Sequence, residues 1–106
     1  MKITITHRHL TLTDEVKERI EQRVGVALGR FGDRIKQVSV KFMNGKTNGD
    51  APEYLCVIEI ELNKKLKVKA ADRDVLSAMD LALEHATRSI AHSLTMESGR
   101  GLGGNH

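Results

Sequence analysis

The sequence predicts an α+β domain: a two-layer sandwich of order β-α-β-β-β-α, with a four-stranded sheet covered on one face by two helices. Three observations lead there. Four stretches alternate apolar and polar residues, which gives each a single apolar face in the extended state. Two longer stretches repeat apolar residues at three- and four-residue steps, the spacing of an amphipathic helix. Finally, three of the strands follow one another between the two helices, so a meander with one added strand is the simplest sheet.

Lys2 to His7 turns Ile3 and Ile5 to one side and Lys2, Thr4 and Thr6 to the other, a half-buried strand. Arg8, His9 and Leu10 lead out of it. Thr13 followed by Asp14 and Glu15 marks a helix start with acidic residues at its positive end. Val16, Ile20, Val24, Ala27, Leu28 and Phe31 form the buried stripe of that helix. Gly25 and Gly29 each weaken it by about 1 kcal/mol relative to alanine, so it depends on packing. Arg19, Arg23 and Arg30 share a stripe along the edge of the apolar face, interrupted by Val26, and Gly32 and Asp33 end the helix.

Val38, Val40 and Phe42 alternate with Gln37, Ser39 and Lys41 in a second strand. The segment Asn44–Pro52 is too long for a tight hairpin turn and is expected to be a mobile loop. A third strand turns Tyr54, Cys56, Ile58, Ile60 and Leu62 inward, and a fourth turns Leu66, Val68 and Ala70 to the same side. Pairing Leu62 with Leu66 around Asn63 would set Glu61 opposite Lys67 and Glu59 opposite Lys69. That arrangement would partly neutralise the run Lys64, Lys65, Lys67, Lys69.

The second helix is expected over Asp72–Leu94, capped by Asp72 or Asp74. Val75, Met79, Ala82, Leu83, Ala86, Ile90 and Leu94 form its buried face. Leu81, His85, Arg88 and His92 fall within roughly 60° of one another on the opposite side. The domain is thus expected over residues 1–96, with 97–106 as a disordered glycine-rich tail.

Composition narrows the function. The chain has 106 residues, enough for one domain with one modest core. Its aromatic residues are Phe31, Phe42 and Tyr54, so base-stacking platforms for single strands have almost no raw material. A formal charge of +3 permits a nucleic-acid partner without requiring one. Cys56 is the single cysteine, which excludes an internal disulfide and suits a reducing compartment. With no leading apolar run and no segment near the ~20 apolar residues of a membrane span, a soluble cytoplasmic protein without a membrane partner is expected. No metal signature occurs, and His85 and His92 lie seven residues, or ~10 Å, apart on a helix, too far to chelate one ion unaided. No nucleophile–base pair, phosphate-binding loop or carboxylate pair in an apolar setting is recognisable, so neither catalysis, a cofactor nor a small-molecule substrate is expected. Asp80 and Glu84 are read as solvated charges. What remains is two basic ridges, Arg19, Arg23 and Arg30 on one helix and His85, Arg88 and His92 on the other. They either keep a surface soluble or present arginine forks and imidazole donors to a phosphate backbone.

Three motifs carry a resemblance to a known family. Ile5-Thr6-His7-Arg8-His9-Leu10 with Leu12-Thr13, Phe31-Gly32-Asp33-Arg34-Ile35, and Asp74-Val75-Leu76-Ser77-Ala78-Met79-Asp80 occur in register over Met1 to about Leu94. In this the chain resembles the ribosome hibernation-promoting factor and ribosome-associated inhibitor family, as a divergent, lysine-poor member of its short form. The resemblance implies a fold similar to double-stranded RNA-binding domains and binding to small-subunit rRNA in the mRNA and tRNA channel, blocking translation in stressed or resting cells. The chain ends where short members end, implying no C-terminal dimerisation domain; separately, a monomer is expected. With small-subunit rRNA as the partner, the expected contacts are the two ridges, Arg19, Arg23, Arg30, His85, Arg88 and His92, with Arg8 and His9 as weaker candidates; of these, Arg23 and Arg88 match basic positions of the family. The departures are that Val26 stands where the family commonly has lysine, and that His85 and His92 replace lysines. Histidine, with a reference pKa near 6.5, gives up charge at neutral pH, so rRNA affinity is expected to rise on acidification. The alternative function is a protein-interaction or regulatory module that kept the fold and lost the ribosome.

Overall fold

The computed structural model describes residues 1–45 and 53–102, the last seven of these as backbone. The elements are β1 (Lys2–Arg8), α1 (Asp14–Leu28), a tight turn of helix at Gly29–Phe31, β2 (Gln37–Asn44), β3 (Tyr54–Glu61), β4 (Lys65–Asp72) and α2 (Val75–Leu102). The expected mobile loop falls, from residue 46 to 52, outside the described residues, as do 103–106 of the expected tail.

The strands lie in the order β1-β2-β3-β4. β2, β3 and β4 form the antiparallel meander, and β1 runs parallel to β2 with Ile3 beside Val38 and Ile5 beside Val40. A parallel pair cannot be joined by a hairpin, and α1 supplies the crossover. The predicted two-layer α+β sandwich is therefore the observed one. Its core lies between sheet and helices, where Ile20 and Leu28 of α1, Phe42, Ile58 and Ile60 of the sheet, and Met79 and Ile90 of α2 are fully buried.

Local chemistry sets the helix ends. The Thr13 hydroxyl accepts a hydrogen bond from the Val16 N–H at 3.2 Å, with Asp14 and Glu15 in the first turn. Regular α-helix stops at Leu28, three residues before the last residue of the predicted stripe, because the chain tightens there and the Gly32 N–H reaches back to the Gly29 carbonyl at 2.9 Å. Gly25 lies inside α1, where an added Cβ would meet nothing within 4 Å. Gly25→Ala is accordingly expected to raise stability by about 0.5–1 kcal/mol, read as a higher denaturant midpoint at unchanged slope.

Of the two candidate caps for α2, Asp74 does the work. Its carboxylate accepts from the Ser77 N–H at 3.0 Å and the Ser77 hydroxyl at 3.2 Å. Asp72 is the last residue of β4, and its carboxylate holds the Arg73 N–H at 2.7 Å. At its other end α2 continues as helix to Leu102, into the segment expected to be a disordered tail. Extending a formed helix needs no new nucleus and adds one hydrogen bond per residue, so Gly99 and Gly101 weaken it without ending it.

The hairpin register also differs from expectation. Glu61 pairs with Lys65, Ile60 with Leu66 and Glu59 with Lys67, so Lys69 lies opposite Val57. The Leu62 N–H closes the turn on the Lys64 carbonyl at 2.8 Å, and Leu62 folds into the core instead of pairing with Leu66.

Cys56 is buried on the helix side of β3, and desolvation pushes its thiol from 9.0 up to about 12. Burial favours the neutral thiol, so its contribution to stability is fully present below pH 9 and is lost as pH rises from there toward 12. Between neutral pH and pH 9 the native thiolate fraction falls roughly a thousandfold below that of an exposed cysteine. A thiol-alkylating reagent at pH 8 should therefore label the folded protein negligibly and the urea-unfolded protein promptly, as mass spectrometry would show.

Candidate nucleic-acid interface

All eight candidate residues are exposed. Their partners divide them. The Arg23 guanidinium of α1 reaches across to Asp80 of α2 at 2.6 Å, the ion pair that joins the two helices. Arg88 binds Glu84, one turn back on α2, also at 2.6 Å, and Arg19 lies 3.9 Å from Glu15. Arg30 stacks its guanidinium 4.6 Å from the centre of the Phe31 ring. His85 and His92 stand in solvent and make no hydrogen bond among the described residues.

Between the helices runs an open groove of about 570 Å³. Ala27, Leu83 and Thr87 line it together with Val26, whose 79% exposure is exceptional for an aliphatic side chain here. Arg23 and Asp80 close over one part of it and Glu84 borders another. The structure thus gathers Arg23, Asp80 and Glu84 around one groove, with Arg88 paired to Glu84 beside it. Arg30 sits beyond the end of α1, and His85 and His92 face away from the buried side of α2.

The carboxylates change what this surface can do. Arg19, Arg23 and Arg88 each already have an acidic partner, so at these positions a phosphate must replace a carboxylate instead of adding to an unmet charge. Exposed pairs of this kind contribute at most about 1 kcal/mol, so the exchange is inexpensive. Coupling of about 0.2–1 kcal/mol is the expected result of an Arg23→Ala, Asp80→Ala double-mutant cycle followed by urea unfolding. Asp80 and Glu84 are each paired with an arginine and are not isolated solvated charges. The Glu84–Arg88 pair carried its own sequence signal, an acidic residue one turn before a basic one. Arg23 and Asp80 are 57 residues apart, and no local pattern links them.

Arg8 and His9 belong elsewhere. His9 adopts φ 62°, a left-handed conformation uncommon for a residue with a side chain. The turn is held by the Asn44 amide donating to the His9 carbonyl at 3.0 Å and by His7 Nδ1 at 2.8 Å from the Leu10 carbonyl, to which it donates. Arg8 lies beside Met43 in the sheet register, so it alternates onto the side of the sheet away from the helices.

Among the described residues, no group of acidic, histidine or cysteine side chains is arranged to hold a metal ion. No helix among them is long and apolar enough to cross a membrane.

Residues 3–95 match the family model described as Sigma 54 modulation protein / S30EA ribosomal protein. No curated protein matches the chain. Among solved structures, a ribosomal subunit interface protein from Coxiella burnetii is similar with a TM-score of 0.74 at 16% identity, over 90% of this chain and 99% of that one. The N-terminal domain of Protein Y from Thermus thermophilus is similar with a TM-score of 0.69 at 20% identity, over 85% of this chain and 96% of that one. At these identities the likeness is one of fold.

Proposed function

We propose that this chain, which belongs to the Sigma 54 modulation protein / S30EA ribosomal protein family, is a non-catalytic ribosome-associated factor that binds small-subunit rRNA in the mRNA and tRNA channel and inhibits translation in stressed or resting cells. One observation carries the reading: the family match runs from residue 3 to 95, through every strand and both helices. It acts in the cytoplasm as a monomer. Arg19, Arg23, Arg30 and Arg88, with His85 and His92, present donors to the rRNA backbone from the helix layer, and Arg8 does so from the end of β1 and His9 from the turn after it. Arg23 and Arg88 exchange Asp80 and Glu84 for phosphate oxygens on binding, a geometry that suits the guanidinium fork.

A second reading, a protein-interaction module that lost the ribosome, is favoured by the charge balance of the helix layer. Through Thr95 the helices carry six carboxylates against five lysine and arginine side chains.

Sedimentation with purified small ribosomal subunits separates the readings. Salt-sensitive pelleting that weakens in Arg23→Ala plus Arg88→Ala is the expected result. Stronger pelleting at pH 6.2 than at 7.6, lost in His85→Gln plus His92→Gln, would mark the histidine positions. Absence of pelleting at low salt at either pH would overturn the ribosomal reading in favour of a protein partner.

A further inference from the structure

The positive charge of this protein lies on the face of the sheet that the helices leave open. The register places Lys2, Arg8, Lys41, Lys65, Lys67 and Lys69 on that face. Against these six cations stand Glu59 and Glu61, each directly opposite a lysine of β4, Glu59 beside Lys67 and Glu61 beside Lys65. The face therefore carries a surplus of four positive charges, more than the +3 of the whole chain, while the helix layer has none to spare.

Two features organise that charge. Lys65, Lys67 and Lys69 alternate along one strand and so stand about 6.6 Å apart, a spacing comparable to that of successive phosphates on a nucleic-acid strand. Lys41 and Lys69 flank Val57 on neighbouring strands. Val57 is only 6% exposed, although it lies outside the cluster that packs under the helices. Its cross-strand neighbours on the open face are Lys41 and Lys69, whose aliphatic stems are placed to cover it. Stems laid over an apolar residue lose less freedom when their ammonium groups bind, because part of that freedom is already gone.

We propose that this open sheet face, centred on Lys41, Lys67 and Lys69, binds an RNA sugar-phosphate backbone, opposite to and independently of the helix ridges. The face offers charge without an aromatic side chain to stack a base, so it contacts the backbone and not the sequence. With the helix layer on the other side, the domain is suited to sit between two RNA segments. The proposal rests on the ribosomal reading for the identity of its RNA.

The test compares two charge-matched variants of the full chain, Lys41→Gln plus Lys67→Gln plus Lys69→Gln and Arg19→Gln plus Arg23→Gln plus Arg88→Gln. Each is first checked for an unchanged thermal transition. Binding to a short RNA duplex is followed by fluorescence anisotropy between about 50 and 200 mM salt, and pelleting with small subunits is measured in parallel. The sheet variant is expected to lose duplex affinity about tenfold or more at the lower salt and to flatten the salt slope by about one per lysine, with a smaller loss for the helix variant. Duplex affinity unchanged in the sheet variant, or no duplex binding by the native protein, would overturn the sheet-face proposal. Pelleting that persists in the sheet variant and fails in the helix variant would also overturn it while leaving the ribosomal function intact. Duplex binding lost in the sheet variant, without pelleting of the native protein, would uphold the face and overturn the ribosome as its source of RNA.

Discussion

Phe42→Ala is expected to cost about 3–5 kcal/mol of stability. Phe42 is fully buried at 0% exposure in β2, where it lies beside Cys56 and His7 in the sheet and belongs to the cluster that both helices close over. The reason the effect is large is compositional. With two phenylalanines and no tryptophan, this core is aliphatic, and Phe31 is only half-buried. Removing the one fully buried ring forfeits its transfer free energy and leaves a cavity between sheet and helices that stiff β-branched neighbours cannot fill. A domain of this size has about 5–15 kcal/mol in total, so the loss takes a large share of it. Urea unfolding should show a lower midpoint at unchanged slope. A loss below about 1 kcal/mol would mean that Phe42 does not occupy the centre of the core.

Ala82→Leu is expected to cost about 1–3 kcal/mol from the opposite cause. Ala78, Ala82 and Ala86 are all at 0% exposure and recur at four-residue steps, forming a row of methyl groups on which α2 lies against β3 and β4. A leucine there has no unoccupied space to enter, so the helix must lift or neighbouring side chains must leave their preferred rotamers. The change in melting temperature should be about 4–8 °C for each kcal/mol. Leu81→Ala, one residue away at a position that is 38% exposed, should change stability by no more than about 0.5 kcal/mol. Equal effects of the two substitutions would contradict the orientation of α2.

Much of the architecture was legible because it is written in short-range pattern. The inward residues Val38, Val40 and Phe42, the Thr13 cap, and the buried faces of both helices follow from alternation, helical spacing and capping chemistry, each a property of residues within a turn or two. The limits at the helix ends were less legible. Asp72 and Asp74 are both good caps, and which one serves depends on how far β4 runs. The candidate interface was legible as a set of exposed cations but not as a charge balance. Arg23 loses its isolation to Asp80, which stands on another helix, and this follows from how α1 and α2 pack, not from either helix alone.

By itself the sequence determined the order of elements, the face each one buries and the absence of an aromatic platform for bases. The first two depend on periodicity, and a period survives any change in what lies across from it; the third is a matter of composition. Only the tertiary structure decided which charges meet. The hairpin shows why. Glu59 was expected opposite Lys69 and lies opposite Lys67, a register shift of two residues. Because side chains alternate with a period of two, such a shift keeps every apolar residue on its own face, and the hydrophobic pattern cannot distinguish the two pairings. Closure of the turn at Leu62–Lys64 selects one of them, and that selection sets Lys69 over Val57 on the sheet face that carries the surplus charge.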